Sequence, residues 1–272
     1  MSSRSRCRRP RRLPAIALVL TALVATANAT RAESPEERGL AIAREADRRD
    51  TGFGDYTVDE EMVLRTRNDE SSRRVMTMKV LEVPADGDKS LIVFDRPRDI
   101  FGTALLTFTH KQGDDDQWLY LPALKRVKRI SSANKSGSFV GSEFAYEDLT
   151  SQEVEKYTYR YLRDETLDGI DCFVVERYPV DRNSGYKRQV VWVDKAEYRT
   201  QKVDFYDRKE SLLKTLTFHG YHQYLDRFWR ADRMVMVNHQ SGKNTELLWS
   251  SYEFRTGLSD SDFNSSSLSR AR

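Results

Sequence analysis

Apolar residues are spaced in three different ways along this chain. An apolar run from Leu13 to Val24 comes first, directly after Arg4, Arg6, Arg8, Arg9, Arg11 and Arg12. Between Ser34 and Gly52 the spacing turns helical, with Leu40, Ile42, Ala43 and Ala46 forming a thin stripe on an otherwise charged segment. Ser34 reads as the N-cap, Pro35 as the first helical residue, Glu37 as the capping-box partner and Gly52 as the stop. Such a helix can lie on a surface.

From Tyr56 onward the period is two, with Thr, Val, Tyr and Phe enriched and turn residues at intervals. Val58, Met62 and Leu64 share one face of the first strand, and Met76, Met78 and Val80 follow on the next. Residues 84–88 form a turn before an apolar run over 91–94, and strands are expected over 103–109 and 117–121. A long irregular stretch spans 122–152. Beyond it the pattern predicts strands over 156–163, 171–178, 187–193, 199–206, 212–221, 228–238 and 245–254. Asp168-Gly169, Asn183-Ser184-Gly185 and Ser241-Gly242-Lys243-Asn244 are turn chemistry between neighbours. The whole reads as an antiparallel meander of about eleven or twelve strands, mainly β in class.

No helix recurs between strands, which excludes a parallel α/β sheet. A barrel of more than about eight strands is wider than its own side chains fill, so it must hold something, flatten into a sandwich or stay open. A period of two is compatible with either barrel or sandwich. Residues 256–272, rich in Ser and Asp, read as a loose C-terminal tail.

Composition changes the picture mainly at the N-terminus. Basic, apolar and small-residue regions in that order, ending in Ala27-Asn28-Ala29, form the tripartite pattern of a cleavable signal peptide over residues 1–29. Its apolar run is about a dozen residues, short of the ~20 a spanning helix needs; an uncleaved anchor is the alternative. The remaining residues, with 30–255 as one β domain, are expected to be soluble outside the cytoplasm. The whole chain has 45 Lys+Arg against 42 Asp+Glu, and six of the basic residues lie in the leader, which leaves 39. A slightly negative mature chain gives no reason to expect nucleic-acid binding, which runs on clustered positive charge. Cys7 leaves with the leader, so Cys172 is the one remaining thiol and cannot form an internal disulfide. Its neighbours Phe173, Val174 and Val175 place it in a buried strand.

Catalytic signatures are absent from the sequence: there is no nucleophile elbow, phosphate loop, dinucleotide fingerprint or zinc-hydrolase helix. His219 and His222 are three apart on an expected strand and point to opposite faces, and His110 and His239 are isolated. Asp114-Asp115-Asp116 lacks the spaced ligands of a calcium loop and reads as a solvated turn. No catalytic residue, metal site or cofactor is therefore expected, and the chain is read as a non-enzyme.

One stretch stands apart. Trp118-Leu119-Tyr120-Leu121-Pro122-Ala123-Leu124-Lys125-Arg126-Val127-Lys128-Arg129-Ile130 runs from an apolar-aromatic strand into a basic segment. It continues into Lys135-Ser136-Gly137-Ser138-Phe139-Val140-Gly141-Ser142-Glu143-Phe144-Ala145-Tyr146-Glu147-Asp148-Leu149. Basic residues beside aromatics can meet lipid head groups while chains enter an apolar space; a solvated loop paired with nearby acids is the alternative.

These two segments resemble the signature of the LolA-like outer-membrane lipoprotein-sorting family, periplasmic proteins related to the carrier LolA and the receptor LolB. The resemblance covers essentially all of the mature chain. It implies an incomplete, open antiparallel β-barrel with an N-terminal helix and a helical or loop lid over an apolar cavity that takes acyl chains. It implies a periplasmic location and handing over of lipid or lipoprotein without bond-breaking. By analogy it points to an inner-membrane lipid exporter of the resistance-nodulation-division type as partner. On this reading Met62, Met76, Met78, Trp118 and Tyr120 are the expected lipid-binding residues, and Lys125, Arg126, Lys128 and Arg129 the head-group or partner contacts. A lipid or envelope-stress sensor of the same fold and a secreted hydrolase with an unrecognised site are the rival readings.

Overall fold

The computed structural model describes residues 32–266 and 268–270, so the expected leader lies outside the described residues. The helical segment forms α1 (Pro35–Asp50). The Ser34 hydroxyl accepts from the Glu37 N–H at 3.1 Å, and the Glu37 carboxylate accepts from the Ser34 N–H at 2.8 Å. This reciprocal cap satisfies donors that a helix start leaves free.

Strands β1 (Asp55–Arg65), β2 (Ser71–Leu81), β3 (Lys89–Arg96), β4 (Ala104–Phe108), β5 (Asp116–Leu121) and β6 (Arg126–Ile130) form a first meander. A second comprises β7 (Tyr157–Leu167), β8 (Ile170–Pro179), β9 (Tyr186–Asp194), β10 (Thr200–Asp207), β11 (Leu212–Tyr224), β12 (Phe228–Asn238) and β13 (Asn244–Phe254). The 13 strands make one sheet in the order β6-β5-β4-β3-β2-β1-β13-β12-β11-β10-β9-β8-β7. Every neighbouring pair is antiparallel, and β1 against β13 joins the meanders. The edges β6 and β7 do not pair with each other, so the barrel is open.

The expected irregular stretch holds one strand, β6, besides short 3-10 turns over Pro122–Leu124, Ser132–Asn134 and Tyr146–Leu149. Arg126, Val127, Lys128 and Arg129 are all exposed, so no apolar alternation marks the strand. Charge along an edge strand also discourages pairing with other chains.

Successive residues face opposite sides of the sheet. On β3, Ile92 and Phe94 point into the main core, and Leu91 and Val93 point outward. Ala104, Leu106, Trp118 and Tyr120 extend that outer cluster, and Leu258, Phe263 and Leu268 cover it. Phe263 and Leu268 are 3% and 2% exposed. The segment read as a loose tail is therefore docked in its described part: a few apolar side chains among many Ser and Asp suffice where a complementary apolar patch waits. The Thr256 hydroxyl donates to Asp55 at 2.6 Å at the point where the tail leaves β13. Cys172 packs with Val174, Val190 and Trp192, fully buried, and burial pushes its thiol up to about 11.

The helix lies against the free edge at β7. A Cβ on Gly39 would stand 2.8 Å from the Tyr161 backbone nitrogen and 2.9 Å from Arg160 backbone atoms. Only glycine permits that approach. The Arg38 guanidinium stacks 3.8 Å over the Tyr161 ring.

Candidate functional site

The curved sheet encloses a cavity of about 1020 Å³, at the upper end of the range for small-molecule sites. Inward side chains of β1 to β3 and β7 to β13 line it, among them Ile92, Val191, Val203, Phe218, Met234, Leu247 and Trp249. Ile42, Ala43 and Ala46 of α1 close one side. This explains the thin apolar stripe: it faces a cavity wall of limited width.

β4, β5 and β6 contribute no lining residue, because the connector between β6 and β7 fills their side of the barrel. The Phe139 ring, fully buried, lies 5.7 Å from Phe94 and 5.8 Å from Tyr146. Val140 and Gly141, with φ of 48° and 79°, reverse the chain, and the Phe139 N–H donates to the Phe144 carbonyl at 2.7 Å. Polar groups hold this loop from the walls. The Lys214 ammonium donates to Asp148 at 2.6 Å and to the Glu143 carbonyl at 2.9 Å. The Tyr186 hydroxyl donates to Asp148 at 2.7 Å, and Ser184 and Gly185 each donate to Glu147 at 2.8 Å. Lys214 and Asp148 are only 4% and 5% exposed, and a buried pair of this kind stands because further hydrogen bonds complete it. The second signature segment, 135–149, is thus a plug held inside the barrel.

Lining residues that reach solvent mark the rim: Asp50 and Thr51 at the end of α1, and Asp226 and Arg227 in the β11–β12 turn. Here charges tie the last helical turn to the sheet. Arg230 pairs with Asp50, Arg49 with Glu197 at 3.7 Å, and the Arg227 guanidinium donates to the Thr51 carbonyl at 2.8 Å. Burial pushes the rim carboxyl of Asp88 up to about 6 and, with Asp88 adding to it, that of Glu153 to about 7. Deeper in, Glu60 is 4% exposed, and its Oε2 has no hydrogen-bond partner. Burial holds its carboxyl up at about 8.

Among the described residues no three His, Cys, Asp or Glu side chains group as metal ligands. His110 pairs with Asp86 at 2.6 Å and His222 with Asp232 at 3.2 Å, while His219 meets Thr217 and His239 meets Thr215. Among the described residues no helix is long and apolar enough to cross a membrane. An apolar interior beneath a charged rim suits an amphiphile: each methylene buried contributes about 0.8 kcal/mol.

The structure separates the residues singled out in the sequence. Met78 lines the cavity, whereas Met62 and Met76, 1% and 0% exposed, belong to the packed core. Trp118 and Tyr120 do not line the cavity, as the register of β5 requires. Leu119 points inward, so both neighbours must point outward, where they join the outer cluster under the tail. Lys125, Arg126, Lys128 and Arg129 are exposed on the β5–β6 hairpin, none lines the cavity, and Arg129 pairs with Asp116. Glu60 and Lys214 were not singled out, although each has a signal. Glu60 interrupts the apolar phase of Val58, Met62 and Leu64, and Lys214 sits in phase with Leu212 and Leu216.

Known proteins share this architecture. A family model that describes its members as uncharacterized proteins matches residues 86–270. Among curated proteins the chain has no match. A crystal structure described as an outer membrane lipoprotein-sorting protein domain, from Vibrio parahaemolyticus, is 60% identical with a TM-score of 0.85, covering 86% of this chain and 100% of its own. A DUF1329 family protein from Desulfovibrio piger is 33% identical with a TM-score of 0.82, covering 86% and 99%. A LolA superfamily protein from Nitrosomonas europaea, 22% identical with a TM-score of 0.68 over 83% and 97%, shares the fold. An open antiparallel barrel with a leading helix, a LolA-like fold, and near-complete overlap with a relative at 60% identity lead to one assignment: the chain belongs to the outer-membrane lipoprotein-sorting protein domain family of that relative.

Proposed function

We propose that this protein is a periplasmic carrier that holds the acyl chains of a lipid or lipoprotein in its cavity and takes part in their transport to the outer membrane. The observation that carries the reading is the interior space of about 1020 Å³, walled by aliphatic and aromatic side chains and reached past a charged rim. Chain burial supplies the affinity without a catalytic group, and release leaves the lipid chemically unchanged. The lipoprotein-sorting description of the Vibrio relative supports the direction of transport. Residues 1–29 serve as the export signal, and a resistance-nodulation-division exporter is the donor that family analogy favours.

The exposed Lys125, Arg126 and Lys128 form the contact to anionic head groups or to an acidic partner, with Arg129 partly engaged by Asp116. Native mass spectrometry of protein purified without detergent is expected to show lipid adducts, and labelled lipid should move between vesicles when the protein is added. Reversing the charges of the basic hairpin should slow that movement and leave the melting temperature unchanged. Protein that binds neither native lipid nor an acyl probe while folded would end the carrier reading.

A further inference from the structure

Apolar chains alone do not account for one residue of the cavity wall. Glu60 lies on β1, directly opposite Met76 of β2 and Trp249 of β13, and both Glu60 and Trp249 line the cavity. It is four residues further along the strand than Tyr56, which belongs to the aromatic group near the rim with Phe53 and Phe228. At the rise of an extended strand that is about 13 Å along β1. The residue is 4% exposed, and its buried Oε2 meets no donor. Leaving such a group unpaired costs stability, and a leucine would fill the same place without that cost. Every other buried side-chain nitrogen or oxygen of this class among the described residues has a partner.

We propose that Glu60 is the polar anchor of the cavity, and that the ligand is an amphiphile bringing a hydrogen-bond donor, a hydroxyl or an amine, into the apolar interior. This deepens the carrier reading and rests on it. A carboxyl on a strand position flanked by Met76 and Trp249 accepts from a hydroxyl in either protonation state and accepts from an ammonium as a carboxylate. A plain acyl chain would leave Oε2 unpaired as it is now, so the cavity should discriminate among chains of equal length by this one group. The raised carboxyl affinity for protons, to about 8, is in keeping with an acid that has no cation beside it.

The test uses dodecanol, dodecylamine and dodecyl methyl ether at about pH 9.5, where Glu60 is a carboxylate that cannot donate to the ether oxygen, with the fluorescence of Trp249 and Trp229, both in the cavity wall, as readout. The full-length mature protein should bind the alcohol or the amine about tenfold more tightly than the ether, the scale of one well-made hydrogen bond. Glu60→Leu should bind all three alike. Glu60→Gln, which preserves shape but has no charge and carries an amide N–H from which the ether can accept, should narrow the preference for the alcohol and lose any preference for the amine, and it serves equally if the leucine variant does not fold. Equal binding of alcohol, amine and ether by the wild type overturns the assignment of Glu60 while leaving the carrier reading intact. So does a donor preference that survives in both variants. If the wild type binds none of the three, the assignment falls together with the carrier reading.

Discussion

Replacing Glu60 with glutamine should flatten much of the fall in stability with rising pH. Burial without a partner for Oε2 holds the Glu60 carboxyl at about 8, against 4.5 for an ordinary glutamate. Between those values the folded chain keeps a proton that the unfolded chain has released. Stability then falls as pH rises, because the slope follows the protons bound by the unfolded state minus those bound by the native state. The contribution is fully present below about 4.5 and is lost as the pH climbs through about 8. At about 1.4 kcal/mol per pK unit, the change from about pH 5 to about pH 8 is roughly 3 kcal/mol. Asp88 and Glu153, also raised by burial, slope the same way. They remain in the variant, so the quantity to read is the difference between the two proteins. Urea unfolding of wild type and Glu60→Gln at a series of pH values should show that difference widening by roughly 3 kcal/mol across the window, the variant gaining relative stability as pH rises. Parallel curves would refute the reasoning, since a carboxyl that ionises normally gives only a constant offset.

Lys214→Met removes one member of a 2.6 Å buried pair and leaves Asp148 without its cation inside the barrel; urea unfolding should show a loss of about 3–5 kcal/mol, and a loss under about 1 kcal/mol would contradict the plug assignment. Phe263→Ala should lower stability by about 3 kcal/mol and open the tail to protease beyond Thr256; an unchanged melting temperature and cleavage pattern would mean that the outer cluster does not hold the tail. Cys172 should resist iodoacetamide in the folded protein near neutral pH and react in denaturant, because it is buried and its thiol is raised to about 11; rapid alkylation of native protein would contradict that burial.

Local chemistry made much of this protein legible in one dimension. The Ser34–Glu37 cap needs only residues three apart, and α1 starts where those residues place it. Strands with one buried face carry their period in the sequence, so 12 of the 13 strands and the antiparallel order of neighbours could be read from alternation and turns. β6 escaped because an edge strand with four exposed residues has no apolar phase to display. Choosing between barrel and sandwich needed the pairing of β1 with β13, a contact between the two halves of the chain that no local pattern encodes. The same limit governs the site. Alternation tells that Trp118 and Leu119 face opposite ways, but not which side is the cavity and which lies under the tail. That assignment belongs to the curvature of the whole sheet, and so does the setting of Glu60: an acid in an apolar phase is visible in the sequence, whereas its lack of a partner depends on what every other element brings, or fails to bring, within hydrogen-bonding reach.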